Sequence, residues 1–183
     1  MNGSHAAYER SETQSPVLQR VFSEHLNDTN KRTLPKIISL FSGAGGLDLG
    51  FQQAGFPLSF AADISTAAVQ THRRNFRKTL AVVADLTKLV PDGVLSNLEP
   101  LLSDGERIGV IGGPPCQGFS RGNTQSTTED PRNQLPLLYL QIVEALQEKY
   151  TVEFVLFENV LGIRDSKHLT TFNGILEKFS DIG

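Results

Sequence analysis

Five short apolar runs, separated by stretches of helical spacing, constrain this chain more than any other feature of its sequence. The runs are Ile37 to Phe41, Leu58 to Ala62, Leu80 to Ala84, Ile108 to Ile111 and Phe154 to Phe157. They are bounded by proline, glycine and polar turns, as buried strands are. Gly46 to Gln53, Thr66 to Phe76, Leu135 to Glu148 and Lys167 to Phe179 carry helical periodicity. Alternation of this kind predicts an α/β fold with a mostly parallel sheet covered by helices on both faces. The unbroken apolarity of FVLF at Phe154 to Phe157 agrees with burial on both sides. Ligands of such sheets bind beyond the carboxyl ends of the strands, so the loops that follow strands are where chemistry is expected. At 183 residues the chain can bury one sizeable core. We expect a polar N-terminal extension over residues 1–35 and one domain over 36–183. Within the extension, Val17, Leu18, Val21, Phe22 and Leu26 recur at the spacing of an amphipathic helix.

Charge and cysteine content exclude several classes. Seventeen Lys and Arg against twenty Asp and Glu leave a net charge of -3, which rules out coating nucleic acid by bulk positive charge. A lone cysteine, Cys116, excludes an intrachain disulfide framework, and no CxxC or histidine cluster has the spacing of a metal site. No apolar run is long enough to span a bilayer and no secretory pattern opens the chain, so the expectation is a soluble, intracellular protein in a reducing compartment. RGNTQSTTED at Arg121 to Asp130 is almost free of apolar residues and reads as a mobile loop.

The first run leads into Phe41-Ser-Gly-Ala-Gly-Gly46. Glycines there allow a tight turn and close approach of backbone N–H groups to a ligand. No Gly-Lys-Ser/Thr follows, and the spacing is not GxGxxG, so neither a P-loop nor a dinucleotide fingerprint is present. A turn with no ligand is the alternative. Asp63 and Asp85 close the second and third runs. With the glycine loop they would make a nucleoside pocket, Asp63 accepting from ribose hydroxyls. Either carboxylate could instead cap a helix, since Ser65-Thr66 follows Asp63 and a short polar turn follows Asp85.

Gly112-Gly-Pro-Pro-Cys-Gln-Gly-Phe-Ser120 follows the fourth run. Its prolines stiffen the approach to Cys116 and its glycines turn the chain away. A thiol held between prolines and polar residues is a candidate nucleophile, the alternative being a buried structural cysteine. Glu158 closes the fifth run and would project over the same sheet edge as acid, base or acceptor, or pair with Arg132 or Arg164.

Together FSGAGGLDLGF (Phe41 to Phe51), AADIS with its helix ending RNF (Ala61 to Phe76), ADLT (Ala84 to Thr87), GGPPCQGFS (Gly112 to Ser120), DPRNQL (Asp130 to Leu135) and ENV (Glu158 to Val160) resemble the DNA cytosine-5 methyltransferase family. The resemblance covers Lys36 to Gly183 and implies a Rossmann-like S-adenosylmethionine-dependent methyltransferase fold, with S-adenosylhomocysteine as product. It implies that Phe41 lies against the adenine and that the loop of Gly43, Ala44, Gly45, Gly46 and Leu47, with Pro114, holds the donor. Asp63 would take the ribose, where the family more often has Glu. Ile64 would pack on the adenine, and Asp85 and Leu86 would read its amino edge.

The resemblance further implies that Cys116 adds to carbon 6 of a cytosine flipped out of duplex DNA, making carbon 5 nucleophilic toward the donor's methyl group. Glu158 would contact the ring nitrogen 3 and the exocyclic amine. Pro115, Gln117, Ser120, Arg121, Arg132 and Asn159 are the implied substrate contacts, and Arg121 to Asp130 the loop that closes over the base. The family pattern goes on to a QxRxR segment, a target-recognition region and a segment completing the donor pocket, none of which occurs in this chain. The expectation is therefore a truncated chain, or one chain of a split enzyme whose partner carries the rest, with apolar surface exposed where the rest would pack. The default expectation is the modification enzyme of a bacterial restriction-modification system, cytoplasmic there and nuclear in a eukaryote. A catalytically inactive regulatory relative and an RNA cytosine-5 methyltransferase are the alternatives, and the presence of both Cys116 and Glu158 favours the enzyme.

Overall fold

The computed structural model describes residues 33–115, 134–165 and 168–182. The expected helix of Val17 to Leu26 and the expected loop of Arg121 to Asp130 lie outside them. Strands β1 (Lys36–Leu40), β2 (Leu58–Asp63), β3 (Leu80–Val83), β4 (Arg107–Gly112) and β5 (Thr151–Phe157) form one sheet in the order β3-β2-β1-β4-β5. Every pairing is parallel. Helices α1 (Gly46–Gln53), α2 (Thr66–Asn75), α3 (Leu86–Leu98), α4 (Leu135–Gln147) and α5 (Leu169–Ile182) complete the domain, α5 following a short 3-10 turn at Leu161–Arg164.

Alternation along the strands divides the core into two layers. Ile38, Leu40, Phe60, Ala62, Ile108 and Val110 pack with Val94 and Leu98 of α3, with Tyr139, Leu140 and Val143 of α4, and with Ile175 of α5. Ala61, Ala81 and Val69 of α2 pack together in a separate cluster. The central strands β1 and β4 are buried almost throughout, at about 1.5–3 kcal/mol for each large apolar side chain removed from water. Among the described residues Tyr139 is the largest side chain fully buried, and its hydroxyl lies 3.1 Å from the Val110 carbonyl and 3.0 Å from the Leu156 carbonyl, tying the ends of β4 and β5 together.

The predicted elements fall in the predicted order, with several departures. β5 begins at Thr151 rather than Phe154, and at the end of the described sheet none of its residues is fully buried, so FVLF lacks the burial on both sides that its apolarity implied. β1 ends at Leu40 rather than Phe41, because Phe41 turns the chain with φ 53°. α5 lies two to three residues beyond the expected Lys167 to Phe179, running to Ile182. The polar turn expected after Asp85 is instead α3, two helical pieces joined at Val90, whose φ of 49° breaks the helix just before Pro91. Proline excludes the preceding residue from helical geometry yet opens a helix well, so both pieces survive around Leu-Val-Pro-Asp-Gly.

Candidate active site

The sheet order reverses its direction of growth between β1 and β4, which opens a crevice at their carboxyl ends. A cavity of about 450 Å³ lies there, lined by Ser39, Phe41, Ser42, Gly46, Leu47, Asp48, Gly112, Gly113 and Glu158. Its size falls within the usual range for small-molecule sites.

The glycine loop forms one wall. Phe41, Gly43 and Gly45 all take left-handed backbone conformations, with φ of 53°, 56° and 92°. The two glycines adopt such a conformation freely, whereas Phe41 holds it only because its surroundings impose it. Two restraints are visible. Asp63, at the end of β2, accepts from the Gly43 N–H through Oδ2 and from the Ser65 N–H through Oδ1, both at 2.8 Å. Behind the loop, a Cβ on Gly45 would overlap the Phe76 ring and stand 2.9 Å from His72 Cδ2, so only glycine fits. Gly45 caps α1, and a Cβ on Gly46 would meet nothing within 4 Å, leaving the first turn of the helix open toward the cavity. Ser42 Oγ is shielded from solvent without a hydrogen-bond partner on this same wall.

The opposite wall joins two loops. The Glu158 N–H donates to the Gly112 carbonyl at 2.9 Å, and Asn159 Nδ2 donates to the Pro114 carbonyl at 3.2 Å. A Cβ on Gly113 would come within 3.0 Å of Glu158 Oε2, and one on Gly112 would strike the Leu40 carbonyl. The Gly-Gly pair thus lets the chain leading to Cys116 lie directly against Glu158. Glu158 itself is exposed and forms no ion pair with Arg164, which was one expectation for it.

Of the residues singled out in the sequence, Phe41, Gly46, Leu47 and Glu158 line the cavity. Gly43, Ala44 and Gly45 belong to its loop, and Pro114 and Asn159 to the paired wall, where Pro115 follows. Asp63 is not among the lining residues but holds the cavity's loop through the Gly43 N–H. Ile64 stands beside it with 67% of its surface exposed, an isolated apolar platform at the sheet edge. Helix α2 is capped by Ser65, whose Oγ accepts from the Ala68 N–H at 3.3 Å, and not by Asp63. Asp85 does act as a cap. It accepts from Thr87 Oγ1 at 2.6 Å and from the Thr87 N–H at 3.1 Å, with Lys88 nearby. The Thr87 hydroxyl is the main reason its carboxyl is held below the usual range. Leu86 is buried in the core as the first residue of α3. Cys116, Gln117, Ser120, Arg121 and Arg132 lie outside the described residues.

Sequence reasoning missed three residues. Asp48 is wholly buried in the first turn of α1, accepting from Ser39 Oγ at 2.9 Å and paired with His72 Nε2 at 3.0 Å. The available signal was a serine inside the otherwise apolar KIISL strand and an acid between two leucines in the glycine motif.

Comparison with known proteins agrees with this architecture. Residues 35–183 match the C-5 cytosine-specific DNA methylase family. Type II methyltransferase M.XorII of Xanthomonas oryzae pv. oryzae is 41% identical over 153 residues, covering 82% of this chain and 34% of that protein. M.NgoPII of Neisseria gonorrhoeae is 35% identical over 148 residues, covering 81% and 40%. The chain thus spans well under half of these relatives. An E. coli prophage-encoded protein described as a DNA modification methyltransferase superposes with a TM-score of 0.66 at 36% identity, over 80% of this chain and 38% of that one. A Spodoptera frugiperda DNMT2 variant superposes at 0.54 with 27% identity, over 79% and 41%. Among the described residues no helix is long and apolar enough to cross a membrane. With the family matched over residues 35–183 and the sheet order to go with it, this chain belongs to the C-5 cytosine-specific DNA methylase family.

Proposed function

We propose that the chain carries the donor pocket and the nucleophile of a DNA cytosine-5 methyltransferase of the Type II restriction-modification kind, and that S-adenosylmethionine is its methyl donor. The observation that carries this reading is the cavity at the β1/β4 crevice, walled on one side by the glycine loop and on the other by the Gly112-Gly113 and Glu158 loops. The fit is supported by the open first turn at Gly46, the unpartnered Ser42 hydroxyl and the exposed Ile64 platform beside Asp63. The donor, when bound, supplies a methyl group made electrophilic by its sulfonium.

Phe41 and Ile64 offer apolar surface to the adenine, Asp63 a carboxylate to the ribose, and Asp85 and Leu86 the end of the pocket. The Gly43 to Leu47 backbone and Pro114 enclose the remainder. Cys116 adds as thiolate to carbon 6 of cytosine, carbon 5 takes the methyl group, and loss of the carbon 5 proton expels the thiolate again. Glu158 stabilises the charge that develops on the ring as the thiolate adds, and distinguishes cytosine from thymine at the exocyclic position. The substrate is a base flipped from duplex DNA, contacted by Pro115, Gln117, Ser120, Arg121, Arg132 and Asn159. Target recognition belongs to the length that the relatives have beyond this match, supplied in the same polypeptide or by a partner.

The experiment is transfer of labelled methyl from S-adenosylmethionine to unmethylated duplex DNA, by the chain alone and by the chain supplemented with the C-terminal portion of a relative such as M.XorII. Transfer in the supplemented reaction that disappears with Cys116→Ser is the expected result. Absence of transfer in both reactions, or transfer that survives Cys116→Ser, would overturn the proposal.

A further inference from the structure

The most unusual group in the described residues is the buried carboxylate of Asp48. It is the third helical residue of α1, where the positive end of the helix favours a negative charge. It is completely shielded from solvent, as is His72, and Ser39 is 1% exposed. A carboxylate so placed must be satisfied by donors, and here it has two: Ser39 Oγ of β1 on Oδ2 and His72 Nε2 of α2 on Oδ1. An ionised carboxylate only accepts, so the histidine proton facing it sits on Nε2, while Nδ1 has no partner. One side chain therefore ties together the first strand, the helix that leaves the glycine loop and the helix that follows β2.

The tie lies directly behind the loop. Ser39 and Asp48 contribute to the cavity wall, and the His72 ring lies tilted against Phe76 with centroids 4.5 Å apart, the two rings filling the space under Gly45. In front, Asp63 holds the Gly43 N–H. The left-handed positions Phe41, Gly43 and Gly45 are thus pinned from both sides, and of the two carboxylates the resemblance gives a role in holding the donor to the front one alone.

We propose that Ser39, Asp48 and His72 form a positioning network that holds the glycine loop in its binding conformation before the methyl donor arrives. The network acts on the loop through the hydrogen bonds that join its three elements. The conformation of the loop is the subject of this inference; its link to donor affinity rests on the proposed function.

Amide hydrogen exchange on the 183-residue chain tests it without any ligand. In Asp48→Ala, the amides of Gly43, Gly45 and Leu49, each hydrogen-bonded within or against the loop, should exchange about tenfold faster or more, while those of β4 stay at wild-type rates. Asp48→Asn can accept from His72 and donate to Ser39 Oγ, so it should restore rates to within about threefold of wild type. Should Asp48→Ala not fold, Ser39→Ala removes one bond and should give a smaller, loop-confined acceleration. Unchanged loop amides, acceleration shared equally by β4, or an Asp48→Asn variant as fast as Asp48→Ala would each overturn the proposal. A parallel titration with S-adenosylmethionine should show about tenfold weaker binding in Asp48→Ala and near-wild-type binding in Asp48→Asn. If the wild-type chain binds no donor, the proposed function falls, and the exchange rates still decide whether the network positions the loop.

Discussion

Replacing Gly45 by alanine should cost far more stability than the same change at Gly43, and the structure gives the reason for both. Each glycine is left-handed, with φ of 92° and 56°, so each alanine incurs about 1–2 kcal/mol of backbone strain. Alanine also narrows the unfolded ensemble, returning about 0.4–1 kcal/mol in both cases. A Cβ at position 43 meets nothing within 4 Å, so Gly43→Ala should lose about 0–1.6 kcal/mol. At position 45 the same atom overlaps the Phe76 ring and stands 2.9 Å from His72, in a site with no free volume. Overpacking of this kind adds about 1–3 kcal/mol, so Gly45→Ala should lose about 1–3 kcal/mol more than Gly43→Ala. The chain has no tryptophan, so the assay is urea unfolding followed by circular dichroism, with equal slopes required for the comparison. If the two variants unfold within about 0.5 kcal/mol of one another, the packing of Gly45 against α2 is not what restricts that position.

Tyr139→Phe should lose about 1 kcal/mol, because the hydroxyl bridging the Val110 and Leu156 carbonyls disappears; equal midpoints in urea would contradict it. Asp85 is held below its ordinary value of 3.8, chiefly by the Thr87 hydroxyl, so its contribution is fully present above that value and is lost as the pH falls through the lowered one. Wild type and Asp85→Asn should therefore differ in stability at neutral pH and converge in acid; a difference independent of pH would remove the cap from the explanation. Glu158→Gln should leave donor binding intact but slow methyl transfer about 100–1,000-fold, in a reaction supplemented as above. A donor affinity that falls by the same factor would show that Glu158 acts on the donor and not on the cytosine.

Much of this arrangement is legible in the sequence because parallel strands buried on both faces leave unbroken apolar runs. The runs Leu58 to Ala62 and Ile108 to Ile111 lie within strands that extend them by only one residue at an end, to Asp63 and to Arg107 and Gly112. The glycine loop is legible for a related reason, since a left-handed run advertises itself by composition. Helix α3 is not, because Pro91 and Gly93 write a turn into the middle of what tertiary packing of Val94 and Leu98 makes helical. Nor is the role of Asp48. Its partners lie 9 and 24 residues away, and periodicity carries no information about a buried polar contact between three elements. Asp63 illustrates a third limit: its position at a strand end is readable, whereas its grip on Gly43 depends on how β1 and β2 are staggered.

The central claim is that this crevice is a methyl-donor pocket, and calorimetric titration of S-adenosylmethionine into the chain tests it most directly. The account predicts saturable binding of one donor per chain, weakened about tenfold or more by Asp63→Ala, which removes both the ribose acceptor and the Gly43 restraint, and unchanged by Cys116→Ser. Absence of saturable binding, or an Asp63→Ala affinity equal to that of the wild type, would contradict it.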